Sequence, residues 1–164
     1  MFIGLDLAGT EKGKTGFCFL NRKETTFILH TDKGIIELVR EIRPKVIAID
    51  APLSMPKNDH YRGCDKKVRK AGILIFSFNF YPLKKLAERG IKLKRKIQNK
   101  IKKCKIIETY PHAVLKMNKE IAKKVERKKF SNKDEKDAFV CALVARNFSL
   151  GTAKCFSGGG KIWY

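Results

Sequence analysis

Five acidic residues stand at the ends or in the middle of apolar runs. Asp6 interrupts FIGLDLAGT, Asp50 ends KVIAID, Glu108 sits in KIIETYP, and Asp134 and Asp137 begin the apolar stretch of SNKDEKDAFVCALVAR. A carboxylate inside a core element is costly unless something answers its charge. Several of them, drawn from distant parts of one chain, imply a shared cation. Carboxylate oxygens are hard ligands and suit Mg or Mn. Two such ions held about 4 Å apart would clamp a scissile phosphate, one activating a water and the other stabilising the leaving oxygen. In that scheme Asp6 is the bridging ligand. Asp50 and Asp137 each hold one side, and Asp134 or Glu108 completes a shell or positions water.

Each acid also has a plainer role open to it. Asp6 could lie at a strand end in water, although Gly4 and Gly9 on either side leave space for a ligand. Asp50 precedes Ala-Pro and could cap a turn; Glu108 precedes Thr-Tyr-Pro and is in the same position. Asp134 lies three residues after Ser131, the spacing of a capping box. Capping does not explain Asp137, which is already in the helix body. Residues 134, 137, 141, 144 and 148 share one helical stripe, so the two carboxylates extend an apolar face toward the sheet.

The elements that must position these groups follow from hydrophobic periodicity. FIGLDLA, TGFCFLN and TTFILH read as strands, the last two as a hairpin around Arg22-Lys23-Glu24. Asp32 is placed to cap a helix with apolar positions Ile35, Ile36, Val39 and Ile42, ended by Pro44. KVIAID has the continuous apolar character of a strand covered on both faces. Residues 51–72 read as loop. GILIFSFNFYP is apolar and aromatic, and it fits a buried turn, a short strand or a helix entry. Pro82 to Cys104 is helical and strongly basic, with a break expected at Gly90. KIIET is another strand, Pro111 to Lys129 one or two helices, and Ser131 to Leu150 a long helix. Gly158 to Gly160 form a flexible joint before a Lys161–Tyr164 tail.

The charge is lopsided. Against 16 Asp and Glu stand 37 Lys and Arg, a net +21, and residues 57–129 alone hold 24 basic and 6 acidic residues. A basic excess gathered in one segment points to a polyanion, here nucleic acid, DNA or RNA. Lysine enrichment also marks hyperthermophile proteins, but glutamate, which usually accompanies it, is scarce. Arg62, Lys66, Lys67 and Arg69 are candidate phosphate contacts. The five cysteines include no C-x-x-C, and His60 with Cys64 supplies only two ligands, so no zinc site is expected. No apolar run is long enough to cross a bilayer and no leader is visible, which reads as a cytoplasmic, reduced protein without membrane contact. The length, 164 residues, fits one domain, residues 1–164, with the basic helical segment at 57–129 inside it.

The order of three strands, helix, strand, helices, strand and helix resembles the RNase H-like fold. The resemblance implies an α/β domain with a five-stranded mixed sheet flanked by helices. It places an acid on the first strand, one at the end of the fourth and one or two on the last helix together. Asp6, Asp50, Asp134 and Asp137 match those places, and two acids on the final helix resemble the RuvC-type resolvases. GLDLAGT, IAIDAPLSMP, Arg62-Gly-Cys-Asp65, IETYP and DAFVCALVA together resemble the family called domain of unknown function 429. That family is described as a predicted nuclease of RNase H fold, so the resemblance implies a metal-dependent phosphodiester hydrolase. Two other classes share parts of the pattern. GLDLAGT also resembles the first phosphate loop of actin-like phosphotransferases, which need two such domains to enclose a nucleotide. A nucleic-acid-binding module with a decayed site would show the same basic charge.

Overall fold

The computed structural model describes Met1–Tyr164. The short apolar runs pair as strands. They are β1 (Phe2–Asp6), β2 (Thr15–Leu20), β3 (Glu24–Leu29), β4 (Val46–Asp50), β5 (Lys105–Thr109), β6 (Cys155–Ser157) and β7 (Lys161–Trp163). They form one mixed sheet in the order β3-β2-β1-β4-β5-β7-β6. β1, β4, β5 and β7 run parallel; β2, β3 and β6 are antiparallel to their neighbours. The sheet therefore has seven strands and not five. The two additional strands flank the Gly158–Gly160 stretch that reads as a joint, β6 just before it and β7 in the tail. Gly158 to Gly160 turn a hairpin whose second strand pairs with β5, Glu108 opposite Ile162 and Thr109 opposite Trp163. Three-residue strands are too short to show a period of two.

Helices cover both faces. They are α1 (Asp32–Ile42), α2 (Gly63–Lys70), α3 (Tyr81–Lys100), α4 (Pro111–Met117), α5 (Lys119–Glu126) and α6 (Lys133–Ser149). On one face, Ile3, Leu5, Phe17, Ile47 and Ile49 of the sheet meet Ile35 and Val39 of α1 and Leu93 and Ile97 of α3. On the other, Cys18, Ala48 and Ile107 meet α4, α5 and the wholly buried middle of α6, Ala138 to Ala145. α6 is apolar nearly all round because it lies between the sheet and the α4–α5 pair.

Several helix boundaries differ from the periodicity reading for local reasons. Thr31, not Asp32, caps α1, its hydroxyl accepting from the Gly34 amide at 3.1 Å. α2 forms in a stretch expected to be loop, with only Cys64, Asp65 and Val68 turned inward, too few to show a stripe. α3 runs unbroken through Gly90, whose missing side chain admits the chain after β4: a Cβ there would lie 3.0 Å from Ala51 and 3.2 Å from the Pro52 carbonyl. Asn118 separates α4 from α5 and caps α5. Asn132 caps α6 in place of Ser131, accepting from the Glu135 amide at 2.9 Å while its own amide donates to the Glu135 carboxylate.

Candidate active site

β1 and β4 are neighbours, parallel, and in a register that sets Asp6 directly opposite Asp50. Adjacent strands are about 4.8 Å apart, so two carboxylates leave neighbouring positions on one face. That face is the one α6 covers, because Asp6 and Asp50 share the parity of Gly4, Cys18 and Ala48.

Two glycines let α6 reach them. A Cβ on Gly4 would lie 2.0 Å from the Ala138 carbonyl, and one on Gly16 would lie 2.0 Å from the Asp134 carbonyl. No side chain fits in either place, so the helix backbone rests directly on β1 and β2. The space beside Gly4, expected to admit a ligand, is thus filled by α6, while Gly9 faces open ground, with nothing nearer than the Pro82 carbonyl at 3.9 Å. Gly16 is the register partner of Asp6, so seating Asp134 over Gly16 delivers the first turns of α6 to Asp6.

The result is a group of acids whose charges act on one another. Asp6 is pushed up to about 7 by burial, then by Asp137 and Asp134. Asp50 lies well above the usual carboxylate range, through burial and the charges of Asp6 and Asp137. Asp137, only 7% exposed, is raised by burial against the opposing pull of Lys133 and Lys136. None of the chain's ion pairs includes Asp6 or Asp50. The one cation paired with this group is Lys133, whose Nζ lies 3.6 Å from Asp137 and whose side chain is largely in solvent. No three His, Cys, Asp or Glu groups close into a ready-made ion cage. The acids are gathered in one field without being drawn into a shell.

Glu108 is not part of this group. Its register partner is Ile49, so it points from the opposite face of the sheet. Arg62, 3% exposed, meets it there. The guanidinium donates to Glu108 at 2.6 and 2.8 Å, to Asp65 at 2.8 and 3.0 Å and to the Ser54 hydroxyl at 3.1 Å. Glu108 also accepts from the Leu53 amide at 2.7 Å. Burial alone would lower the guanidinium; the hydrogen bonds and charges of Glu108 and Asp65 hold it above its ordinary value. Arg62 is thereby committed to carboxylates and pins the chain leaving Asp50. Lys66, Lys67 and Arg69 lie on the solvent side of α2, where Lys66 pairs with Asp59 and Arg69 lies 4.5 Å over the Tyr61 ring.

A second buried arginine does the same for the loop leaving Asp6. Arg89 donates to Asp32 at 3.0 Å and to the carbonyls of Ala8, Thr10 and His30 at 2.7, 2.7 and 2.8 Å. Sequence reasoning passed over it, although an arginine in the stripe of Leu86, Leu93 and Ile97 was a legible signal. Lys133 was passed over as well, being hidden in the capping region of α6. Asp50, Thr109, Tyr110 and Lys133 are among the residues that line a cavity of about 280 Å³.

A family model described as Protein of unknown function (DUF429) matches residues 4–129. The chain belongs to that family. The matched span holds Asp6, Asp50, Arg62, Asp65 and Glu108 and stops short of the α6 acids. Among solved structures, this member of the family is similar to Thermus thermophilus RuvC in complex with Holliday junction substrate. Identity is 14%, the TM-score is 0.54, and the match covers 93% of this chain and 97% of that one. A second Thermus thermophilus RuvC structure matches at 15% identity, a TM-score of 0.49 and coverage of 93% and 98%. No curated protein sequence matches. The likeness to RuvC identifies the fold as RNase H-like, a mixed sheet between helices, as the family resemblance implies.

Proposed function

We propose that the chain is a metal-dependent nuclease that hydrolyses phosphodiester bonds of nucleic acid. The observation that carries the reading is the set of unanswered carboxylates at the ends of the two central strands, Asp6 and Asp50, with Asp137 laid over them. Burial, and behind it the charges of neighbouring acids, raises the protonation equilibria of Asp6 and Asp50, and Lys133 offsets only part of that. An all-oxygen donor set suits Mg or Mn. Asp6, Asp50 and Asp137 would hold the metal, which would supply an activated water and charge stabilisation at the leaving oxygen.

The chain's own residues do the rest. Asp134 raises the charge density at Asp6. Lys133 neutralises part of the field and stands ready to meet a phosphate at the rim. Arg62 and Arg89 fix the loops that follow the two strand acids, so the carboxylates are held without being paired. Glu108 serves through Arg62 as a positioning residue. Lys66, Lys67 and Arg69, with the lysines of α3, present cations for the nucleic-acid backbone, and such binding weakens steeply with salt. In this reading residues 1–164 act as one RNase H-like domain with 57–129 as its basic flank. The likeness in fold to RuvC, solved in complex with a Holliday junction substrate, supports a nucleic-acid substrate.

The test is cleavage of labelled DNA and RNA with Mg or Mn. Asp6→Asn should abolish cleavage and leave nucleic-acid binding near wild type, because it removes a metal ligand and none of the basic surface. If no nucleic acid is cleaved with any divalent metal, and Asp6→Asn alters neither metal binding nor stability, the chain is a binding module.

A further inference from the structure

The cavity that Asp50 lines also has an apolar lining that phosphodiester hydrolysis does not require. Ile75, Phe76, Phe78, Leu83 and Leu86 form it. Leu83 and Leu86 come from α3, and Ile75, Phe76 and Phe78 from the segment between α2 and α3, which has no regular structure yet is fixed. Ile73 and Phe78 are buried, the Tyr110 hydroxyl donates to the Leu74 carbonyl at 2.9 Å, and the Phe78 amide donates to the His60 carbonyl at 2.9 Å. Its outward side chains, with Tyr81 at the start of α3, are nonetheless large and apolar: Leu74 is 70% exposed, Phe76 54%, Phe80 47% and Tyr81 64%. The Phe76 and Phe80 rings stand 5.1 Å apart, and Lys85 lies 5.1 Å from the Tyr81 ring. A contiguous aromatic patch on a firmly held segment marks a binding surface.

We propose that this aromatic wall seats an unpaired nucleobase, so that the substrate is a strand with an unstacked nucleotide and not a continuous duplex. The inference rests on the nuclease reading above for its purpose and sharpens the substrate class. Aromatic faces beside cations are the platform on which single-stranded bases stack, and each stack contributes about 1–3 kcal/mol. A base inside a duplex offers no open face to such a wall. Asp50 and Lys133 line the same cavity as Phe76, so a base against Phe76 brings its adjoining phosphate near Asp50. A second copy of the chain is a poor occupant, because each would bring a net charge of +21 to the contact.

The experiment uses Asp6→Asn protein without metal, so cleavage plays no part. Affinity is measured for a single-stranded oligonucleotide and for the fully paired duplex of the same sequence. A fluorescent base analogue in the strand reports stacking. Phe76→Ala should weaken single-strand binding roughly 5- to 100-fold and release the analogue's quenching, leaving the duplex affinity unchanged. Phe76→Trp should restore both. Equal losses on strand and duplex, or no loss on the strand, would overturn the proposal. So would a wild-type dimer that Phe76→Ala converts to monomer in sedimentation. Stacking without metal-dependent cleavage in the wild type would overturn the nuclease reading alone.

Discussion

Two groups of buried acids lie at the same end of this sheet and are treated in opposite ways. Asp65, Glu108 and Asp32 are each met by a guanidinium at 2.6 to 3.0 Å. Asp6, Asp50 and Asp137 are met chiefly by one another, with the exposed Lys133 and, for Asp137, Lys136 nearby. The first group resolves the cost of burying charge within the protein. The second leaves it unresolved at the ends of the central parallel strands, where ligands of α/β sheets bind. The same residue type therefore serves two purposes, and the partner distinguishes them: an answered acid shapes the chain, and an unanswered acid awaits a cation.

The largest expected effect separates the groups by activity. Asp6→Asn or Asp50→Asn should lower metal-dependent cleavage by more than about 100-fold, beyond what loss of a supporting residue costs, with an unchanged circular dichroism spectrum. Next comes stability. Arg62→Ala strands Glu108 and Asp65 without a partner and should cost about 3–5 kcal/mol in chemical denaturation. A smaller loss, about 1–3 kcal/mol, is expected for Gly4→Ala, because a Cβ there meets the Ala138 carbonyl at 2.0 Å. That variant should also weaken metal binding, since it lifts α6 and Asp137 away from the strands.

The pH dependence has a definite sign. Asp6 titrates near 7 when folded and near 4 when unfolded, so the folded state holds the extra proton between those values. Its contribution favours the fold below pH 4 and is lost as pH rises through 7. Metal-free protein should lose roughly 1 kcal/mol per pH unit across that window, and Asp6→Asn should flatten the slope. Lys133→Met is the mildest change. Removing a charge that lowers Asp6, Asp50 and Asp137 should move the acid limb of the cleavage profile to higher pH.

The sequence showed the unanswered acids more clearly than the answered ones. Asp6 and Asp50 end strong apolar runs, and the resemblance of the element order to the RNase H-like fold makes their strands neighbours. Asp137 was legible because helical spacing put it on the apolar stripe. Glu108 looked equivalent to Asp50, since a strand sequence does not tell which face a residue takes until the register is known; one step of register separates Glu108 from the Asp50 position. Arg62 looked like a surface cation because its partners lie 3 and 46 residues away and only the fold brings both to it. The last two strands are not legible in the sequence because the pairing of β7 with β5 and of β6 with β7, and not their own pattern, makes them strands.

The central claim, that a missing partner marks the working acids, is tested most directly by Mn titration calorimetry on three proteins. Wild type should bind Mn. Asp6→Asn should bind it at least about tenfold more weakly, and Asp32→Asn, which removes an answered acid, should bind it as wild type does. Mn binding that survives Asp6→Asn, or that falls equally in Asp32→Asn, would contradict the account.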